Sequence, residues 1–341
     1  MQIQTDVSLK DYSTMRLGGK AAHLAHITTE AELIEAITLA DTHSWNVVMI
    51  GGGSNIFWKD EGFDGLVLVN ELKGYQEDWQ DDTHVHVTAG AGEIWDDIVG
   101  RTAADGLSGI ENLSLIPGTV GATPVQNVGA YYQDISDTLV NLRAYDRTAK
   151  KMVTLSKEDC KLAYRTSRFK TVDHGRFFIT AVTFHLQKKN PEPPFYPSLQ
   201  QYMDDHHITE FTPQTIREAV IAVRSAKLPD PKKVANNGSF FANPIITQGK
   251  LNDLQAQYQN VMHWPVGEGL YKIPAAWLVQ EAGFKGYHDA ETGMGTWPTQ
   301  ALVLVNEHAS STADLIAFRQ KILDAVRQKF DITLEQEPQM L

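Results

Sequence analysis

The chain has 341 residues, 42% hydrophobic and 21% charged, which is ample for a buried core and for two or three domains. Its formal net charge of -12 argues against non-specific binding to nucleic acid, although a local basic pocket for an anionic small molecule remains compatible with it. The single cysteine, Cys160, excludes an internal disulfide and any multi-cysteine metal site. The N-terminal run "MQIQTDVSLKDYSTMRLGG" lacks a signal peptide's apolar centre, and no apolar run approaches membrane-spanning length. The expectation is a cytoplasmic protein with no membrane contact.

Residues 29–44 have helical spacing, with Leu33, Ile34, Ile37 and Leu39 clustered and Thr29 placed as a cap before Glu32. Trp45 to Ile50 then reads as a strand, and Gly65 to Asn70 as another. Between them lie Gly51, Gly52 and Gly53, followed by Ser54 and Asn55. Glycine costs chain entropy on folding, so three in a row need a geometric return. A row of backbone N–H groups facing a phosphate is one such return; a tight turn between strands is the other. A Rossmann site requires strand, glycine turn and helix. Here turn and strand follow the glycines, so a Rossmann site is excluded.

"THVHVTAGAGEIWDDIVG" gives an alternating strand, a Gly-Ala-Gly turn and an amphipathic helix opening near Glu93. His84 and His86 share one face of that strand, a geometry able to bind metal. No third ligand is signalled, and no catalytic metal is expected. Residues 110–135 are rich in glycine and small side chains, too apolar for a surface linker and too broken for one helix. Two strands follow, "LVNLRAYDR" and "RFFITAVTFHLQ". The Pro-rich segment 188–199 reads as a boundary or an exposed loop. A helix ended by Pro229, a short helix "IPAAWLVQEAG", a strand "QALVLVN" and a final helix 311–330 complete the chain, without a repeat of fixed period.

The chemistry-bearing stretch is "IPGTVGATPVQNVGAY", where Gly118, Gly121 and Gly129 stand among Thr119, Thr123, Gln126 and Asn127. Small residues let backbone approach an extended ligand; a loop packed under a sheet is the plain alternative. Two separate glycine-rich backbones in one half of the chain suit a long two-phosphate cofactor. "YRTSRFK" offers Arg165 and Arg168, either as a basic surface turn or as a partner for a planar carboxylate. Ser239 follows Gly238 in "NNGSFF" and by itself reads as a turn residue. There is no Gly-x-Ser-x-Gly pattern around it to support a hydrolase nucleophile.

Taken in order, "STMRLGGKA", "VVMIGGGSN", "GIENLSLIPGTVGATPVQNVGAY", "YRTSRFK", "KLPDPKKVANNGSFFANP" and "QALVLVN" resemble the UDP-N-acetylenolpyruvoylglucosamine reductase family, flavoenzymes of peptidoglycan precursor synthesis. The resemblance runs from about Ser13 to Glu337 and includes the variant with a tyrosine loop. It implies an α+β fold. A two-subdomain FAD-binding domain of the non-Rossmann PCMH/vanillyl-alcohol-oxidase type (1–70 and 71–200) would precede a C-terminal α+β substrate domain (201–341). Gly51, Gly52, Gly53, Ser54 and Asn55 would then serve the FAD pyrophosphate. Ile116, Pro117, Gly118, Thr119, Gly121, Ala122, Gln126, Asn127 and Gly129 would line the cofactor.

By the same resemblance, Arg165, Ser239 and Glu337 are the catalytic group, with Ser239 as proton donor. Tyr164, Tyr196, Lys227, Asn243 and Gln300 are substrate contacts. The implied reaction is NADPH-dependent reduction of UDP-N-acetylglucosamine enolpyruvate, with hydride passing from FAD N5 to C3 and a proton to C2; a monomer suffices for it. Two departures stand out. Relatives continue with an apolar strand after the glutamate, where this chain has Pro338, and many carry a histidine where Trp297 and Pro298 fall. Two rival readings share parts of the pattern: an FAD-dependent oxidase or dehydrogenase of the same fold acting on a small alcohol or hydroxy acid, and a non-catalytic nucleotide-binding relative. "NNGSFFANP" and "KLPDP" argue against the first, and Arg165 with Ser239 against the second.

Overall fold

Thr29 caps the first helix, Glu30–Thr42, in the computed structural model, which describes residues 1–341. Its hydroxyl accepts from the Glu32 N–H at 3.1 Å, and the Glu32 carboxylate accepts from the Thr29 N–H at 3.2 Å, closing a capping box. The buried stripe is Leu33, Ala36, Ile37 and Ala40, a strict helical spacing in which alanine supplies every second step. Ile34, grouped with that stripe from the sequence, lies about 100° round the helix and is 37% exposed.

The chain divides into two compact units, each continuous in space and neither continuous in sequence. The first comprises Met1–Val7, Ala21–Gly53 and Phe63–Ala226. It contains a four-stranded sheet in the order Ile3–Ser8, Lys20–Ile27, Phe63–Asn70, Asn46–Ile50. Phe63–Asn70 is parallel to both of its neighbours, and the capped helix buries its stripe against Ala25, Ile27, Leu66 and Leu68. A five-stranded antiparallel sheet follows, ordered Lys151–Ser156, Leu139–Asp146, Phe177–Gln187, His84–Gly90, Tyr75–Trp79. Its inner face packs Val85, Val87, Val182 and Phe184 against Trp95 and Val99 of the helix Trp95–Ala104. The Pro-rich segment is a loop inside this unit. It enters the helix Pro197–Asp205, which packs Leu199 and Met203 on Ile216 and Val220 of the helix Pro213–Lys227.

An ion pair between buried Asp146 and partly exposed Arg176 pins one end of the larger sheet. Asp146, 4% exposed, accepts from Arg176 Nε at 3.0 Å and Nη2 at 2.8 Å, and from the Thr148 and Ala149 N–H groups. The Arg176 hydrogen bonds hold the Asp146 carboxyl below the usual carboxylate range, outweighing burial. A depressed folded-state pKa gives stability that is complete above the unfolded value, near 4, and is lost as pH falls through the folded value. Asp146→Asn is therefore expected to lower the melting temperature at pH 7 and to flatten its decline below about pH 4. Thermal melts across that range check both effects.

The second unit comprises Ser8–Lys20, Ser54–Gly62 and Lys227–Leu341. Its main sheet is ordered Ala235–Ser239, Gln300–Asn306, Met294–Trp297, His288–Asp289, antiparallel throughout. The helix Thr312–Phe330, started by a Ser311–Asp314 capping box, buries Leu315, Phe318, Ile322 and Val326 in a core shared with Leu278, Met294 and Leu304. Met15, Leu17 and Phe57 bring the two early segments into the same core. The residues after Pro338 do form a strand: Gln339–Met340 pairs in parallel with Ile56–Phe57, flanked by Leu341 N–H to Phe57 C=O at 3.0 Å. No helix is long and apolar enough to cross a membrane.

Candidate active site

In the first unit, the two glycine-rich backbones meet. A Cβ on Gly51 would fall 2.1 Å from Thr119 Oγ1, and one on Gly52 3.3 Å from Gly118 Cα. A side chain at Gly51 would run into that of Thr119 and one at Gly52 would press on the Gly118 backbone, and Gly53 turns the chain with φ +66. The loop bearing Ile116, Pro117 and Gly118 is stitched to the Gly-Ala-Gly turn: Trp95 N–H donates to Gly118 C=O at 3.1 Å, Val120 N–H to Glu93 C=O at 2.9 Å, and Gly121 N–H to Ala91 C=O at 2.9 Å. Ala122 closes the turn through its N–H to Thr119 C=O at 3.0 Å.

Gly51, Gly52 and Thr119 line an open cleft of about 590 Å³. Thr28, Asn70, Lys73 and Gly92, which sequence reasoning missed, also line it. Lys73 Nζ donates to Gly92 C=O at 2.7 Å and lies 3.5 Å from Glu93, so a cation sits on the cleft wall. Thr119 Oγ1 is buried and has no hydrogen-bond partner within the protein. An orphaned hydroxyl, a lysine and side-chain-free backbone fit the diphosphate of a dinucleotide such as FAD. Gly51→Ala forces Thr119 to turn or the two segments to part, an overpacking worth about 1–3 kcal/mol. The expected result is FAD held about tenfold or more weaker, read from fluorescence titration of the apoprotein.

The remaining cofactor candidates join the arginine loop. Asn127, buried with φ +48, accepts from the Ser136 N–H at 3.0 Å and donates from Nδ2 to Ala163 C=O at 3.3 Å. Ser167 Oγ donates to Val125 C=O at 2.6 Å, and Arg165 Nη2 to Gly129 C=O at 2.8 Å. Half-buried Gln126 sits between these stitches. Arg168 is paired with Asp173 at 2.7 Å, a structural bond, whereas Arg165 sits at φ +53, a conformation rare outside glycine that aims the side chain along Gly129. Its guanidinium lies 5.4 Å from the ring centre of Tyr164, which is 38% exposed. Tyr196 stands at the N-cap of the helix Pro197–Asp205 between Tyr131 and Tyr132, ring centres 5.3 Å and 4.8 Å away. Burial pushes its hydroxyl pKa up.

In the second unit, Ser239 ends a strand paired with Val303, and Phe240 N–H donates to Leu302 C=O at 2.8 Å. Glu337 runs alongside: its N–H donates to Phe240 C=O at 2.9 Å, and its C=O accepts from Asn55 Nδ2 at 3.5 Å. Gln339 N–H donates to Asn55 C=O at 2.9 Å. Asn237 Nδ2 reaches Ser54 C=O at 3.3 Å. Ser54, Asn55, Ser239 and Glu337 are thus brought together. Asn243 caps a helix, its Oδ1 accepting from the Ala275 N–H at 2.9 Å. Lys227 C=O accepts from Thr299 Oγ1 at 2.7 Å, and Gln300 pairs with Trp297 across the Pro298–Thr299 turn. His185 joins His84 and His86 on their sheet face, ring centres 5.3 Å and 5.5 Å away, a cross-strand neighbour the linear pattern did not reveal. No group of three His, Cys, Asp or Glu is arranged to hold a metal ion.

Residues 21–155 match the family model of the FAD binding domain. With the fold above, this defines a flavoprotein of α+β class, whose glycine turn leads into strands and not into a Rossmann helix. Residues 230–341 match the model of the UDP-N-acetylenolpyruvoylglucosamine reductase C-terminal domain. The reductase of that name from Ralstonia nicotianae is 41% identical over 330 residues, 96% of each chain, and that from Pseudomonas fluorescens is 37% identical over 99% of this chain and 98% of its own. The crystal structure of the Thermus caldophilus enzyme shares the fold, with TM-score 0.67 at 22% identity over 100% of this chain and 99% of that one. The chain belongs to the UDP-N-acetylenolpyruvoylglucosamine reductase family of FAD-dependent oxidoreductases.

Proposed function

We propose that the chain reduces UDP-N-acetylglucosamine enolpyruvate to UDP-N-acetylmuramate at the expense of NADPH, as a cytoplasmic monomer. The Gly51–Asn55 segment and the Ile116–Gly129 loop would hold FAD, which when bound would supply a hydride for C3 of the enolpyruvyl group. Arg165 binds the substrate carboxylate through two parallel charge-assisted hydrogen bonds and stabilises the enolate-like charge that develops there. Glu337 shares the carboxylate site. Ser239 delivers the proton to C2. Lys227 and Tyr196 hold the diphosphate, and Tyr164, Asn243 and Gln300 contact the rest of the sugar nucleotide.

The observation that carries this reading is the hydrogen bond from the Glu337 N–H to the Phe240 C=O, 2.9 Å, which sets the glutamate beside the strand end bearing Ser239. It is supported by the Asn55 contact, because the end of the glycine segment touches the same glutamate. Steady-state assay tests it. NADPH oxidation dependent on the enolpyruvyl sugar nucleotide, with a product heavier by two hydrogens, is the expected result. NADPH oxidation indifferent to that compound overturns the reading.

A further inference from the structure

The motif "STMRLGG" has no place in the chemistry above, yet the structure puts it at the centre of a buried knot. Ser13 Oγ donates to Ile56 C=O at 2.7 Å. Thr14 Oγ1 donates to Asn236 C=O at 2.6 Å, and the Asn236 N–H donates to Thr14 C=O at 3.0 Å. Asn237, 4% exposed, completes the knot. Its Nδ2 lies 3.0 Å from Ile56 C=O, 3.3 Å from Ser54 C=O and 3.1 Å from Thr14 Oγ1. Three chain segments, 13–14, 54–56 and 236–237, are fixed through one amide and two hydroxyls.

The amide orientation is dictated by chemistry. Ser54 and Ile56 present carbonyl oxygens, which only accept, so the NH₂ must face them. The other end, Oδ1, is buried with no partner in the protein. A buried acceptor left unmet costs stability. Asparagine is a poor choice for packing alone here, and its donors are what the site uses. Immediately after it, Gly238 takes φ +69 and gives its N–H to Asn236 Oδ1 at 2.8 Å. This makes a bulge in the pairing with Gln300–Asn306, and Ser239 is the residue on the far side of the bulge.

We infer that Asn237, with Thr14, is a positioning residue that fixes Ser239 relative to the Ser54–Asn55 end of the cofactor segment. The inference rests on the reading of Ser239 as proton donor. Displacing a reacting group by about 1 Å costs up to roughly 100-fold in rate, so a loosened knot is felt in proton delivery and not in the reduction of the flavin.

Two near-isosteric variants test it in the FAD-loaded enzyme. Asn237→Asp keeps the shape and removes the donors; Thr14→Val keeps the shape and removes the hydroxyl. Both half-reactions are followed by rapid mixing, together with the solvent deuterium isotope effect on reoxidation and the FAD dissociation constant. Each variant is expected to slow reoxidation by the enolpyruvyl substrate about tenfold or more and to raise its solvent isotope effect, with NADPH reduction within about twofold of wild type. Thr14→Ser, which retains the hydroxyl, is expected to restore reoxidation. Equal slowing of both half-reactions, or no slowing in Thr14→Val, overturns the inference. Ser239→Ala serves as the reference. If it slows reoxidation while Thr14→Val does not, the positioning claim alone fails; if it leaves reoxidation unchanged, the proton-donor reading fails and takes the inference with it.

Discussion

Ser239→Ala is expected to leave bleaching of the flavin by NADPH intact and to slow its reoxidation by the enolpyruvyl substrate by roughly 10²–10⁴-fold, the usual worth of a positioned proton donor. The site explains the selectivity. Ser239 is held by the pairing with Val303 on one side and by the Gly238 bulge on the other, so removing one oxygen leaves the backbone geometry unchanged. An alcohol is a weak acid in water, so the proposed role requires charge to build at C2 as hydride reaches C3. Stopped-flow traces separate the two half-reactions. Unchanged reoxidation in Ser239→Ala would remove the serine from the mechanism.

Arg165→Ala is expected to cut the same half-reaction by about 10²–10³-fold, the loss typical of one preorganised donor to developing negative charge. Arg165→Lys is expected to recover little of it, because an ammonium cannot make two parallel hydrogen bonds to a carboxylate from one fixed plane. The loop holds the guanidinium in one place: Asn127 ties it to Ala163, Ser167 to Val125, and Arg165 Nη2 donates to Gly129 C=O at 2.8 Å. A melting curve recorded for each variant separates loss of chemistry from loss of the loop, because Arg165→Ala also removes the hydrogen bond to Gly129 C=O. Lysine supporting near-normal reoxidation would mean that Arg165 acts only as a point charge.

Much of this was legible from residue order because the constraints are local. The Thr29–Glu32 capping box, the glycines at 51–53 and the small-residue loop at 116–129 all announce themselves within a few positions. What escaped the sequence depends on partners far along the chain. Thr14 bonds Asn236 across 222 residues, and no periodicity records that. The second unit therefore includes Ser8–Lys20 and Ser54–Gly62, drawn from a part of the chain a linear reading assigns elsewhere. Thr28 and Lys73 reach the cleft from beyond the C-terminal ends of the parallel strands Lys20–Ile27 and Phe63–Asn70, with ordinary sequence surroundings. Pro338 looked like the end of regular structure, yet a two-residue strand needs only one exposed edge, and Ile56–Phe57 provides it.

The most direct measurement is anaerobic. The FAD-loaded protein is reduced with one equivalent of NADPH, the enolpyruvyl sugar nucleotide is added, and flavin absorbance is followed. Return of the oxidised spectrum before air is admitted is the expected result and establishes the second half-reaction. A flavin that stays bleached until oxygen enters would contradict the assignment of Arg165, Ser239 and Glu337 to reduction of this substrate.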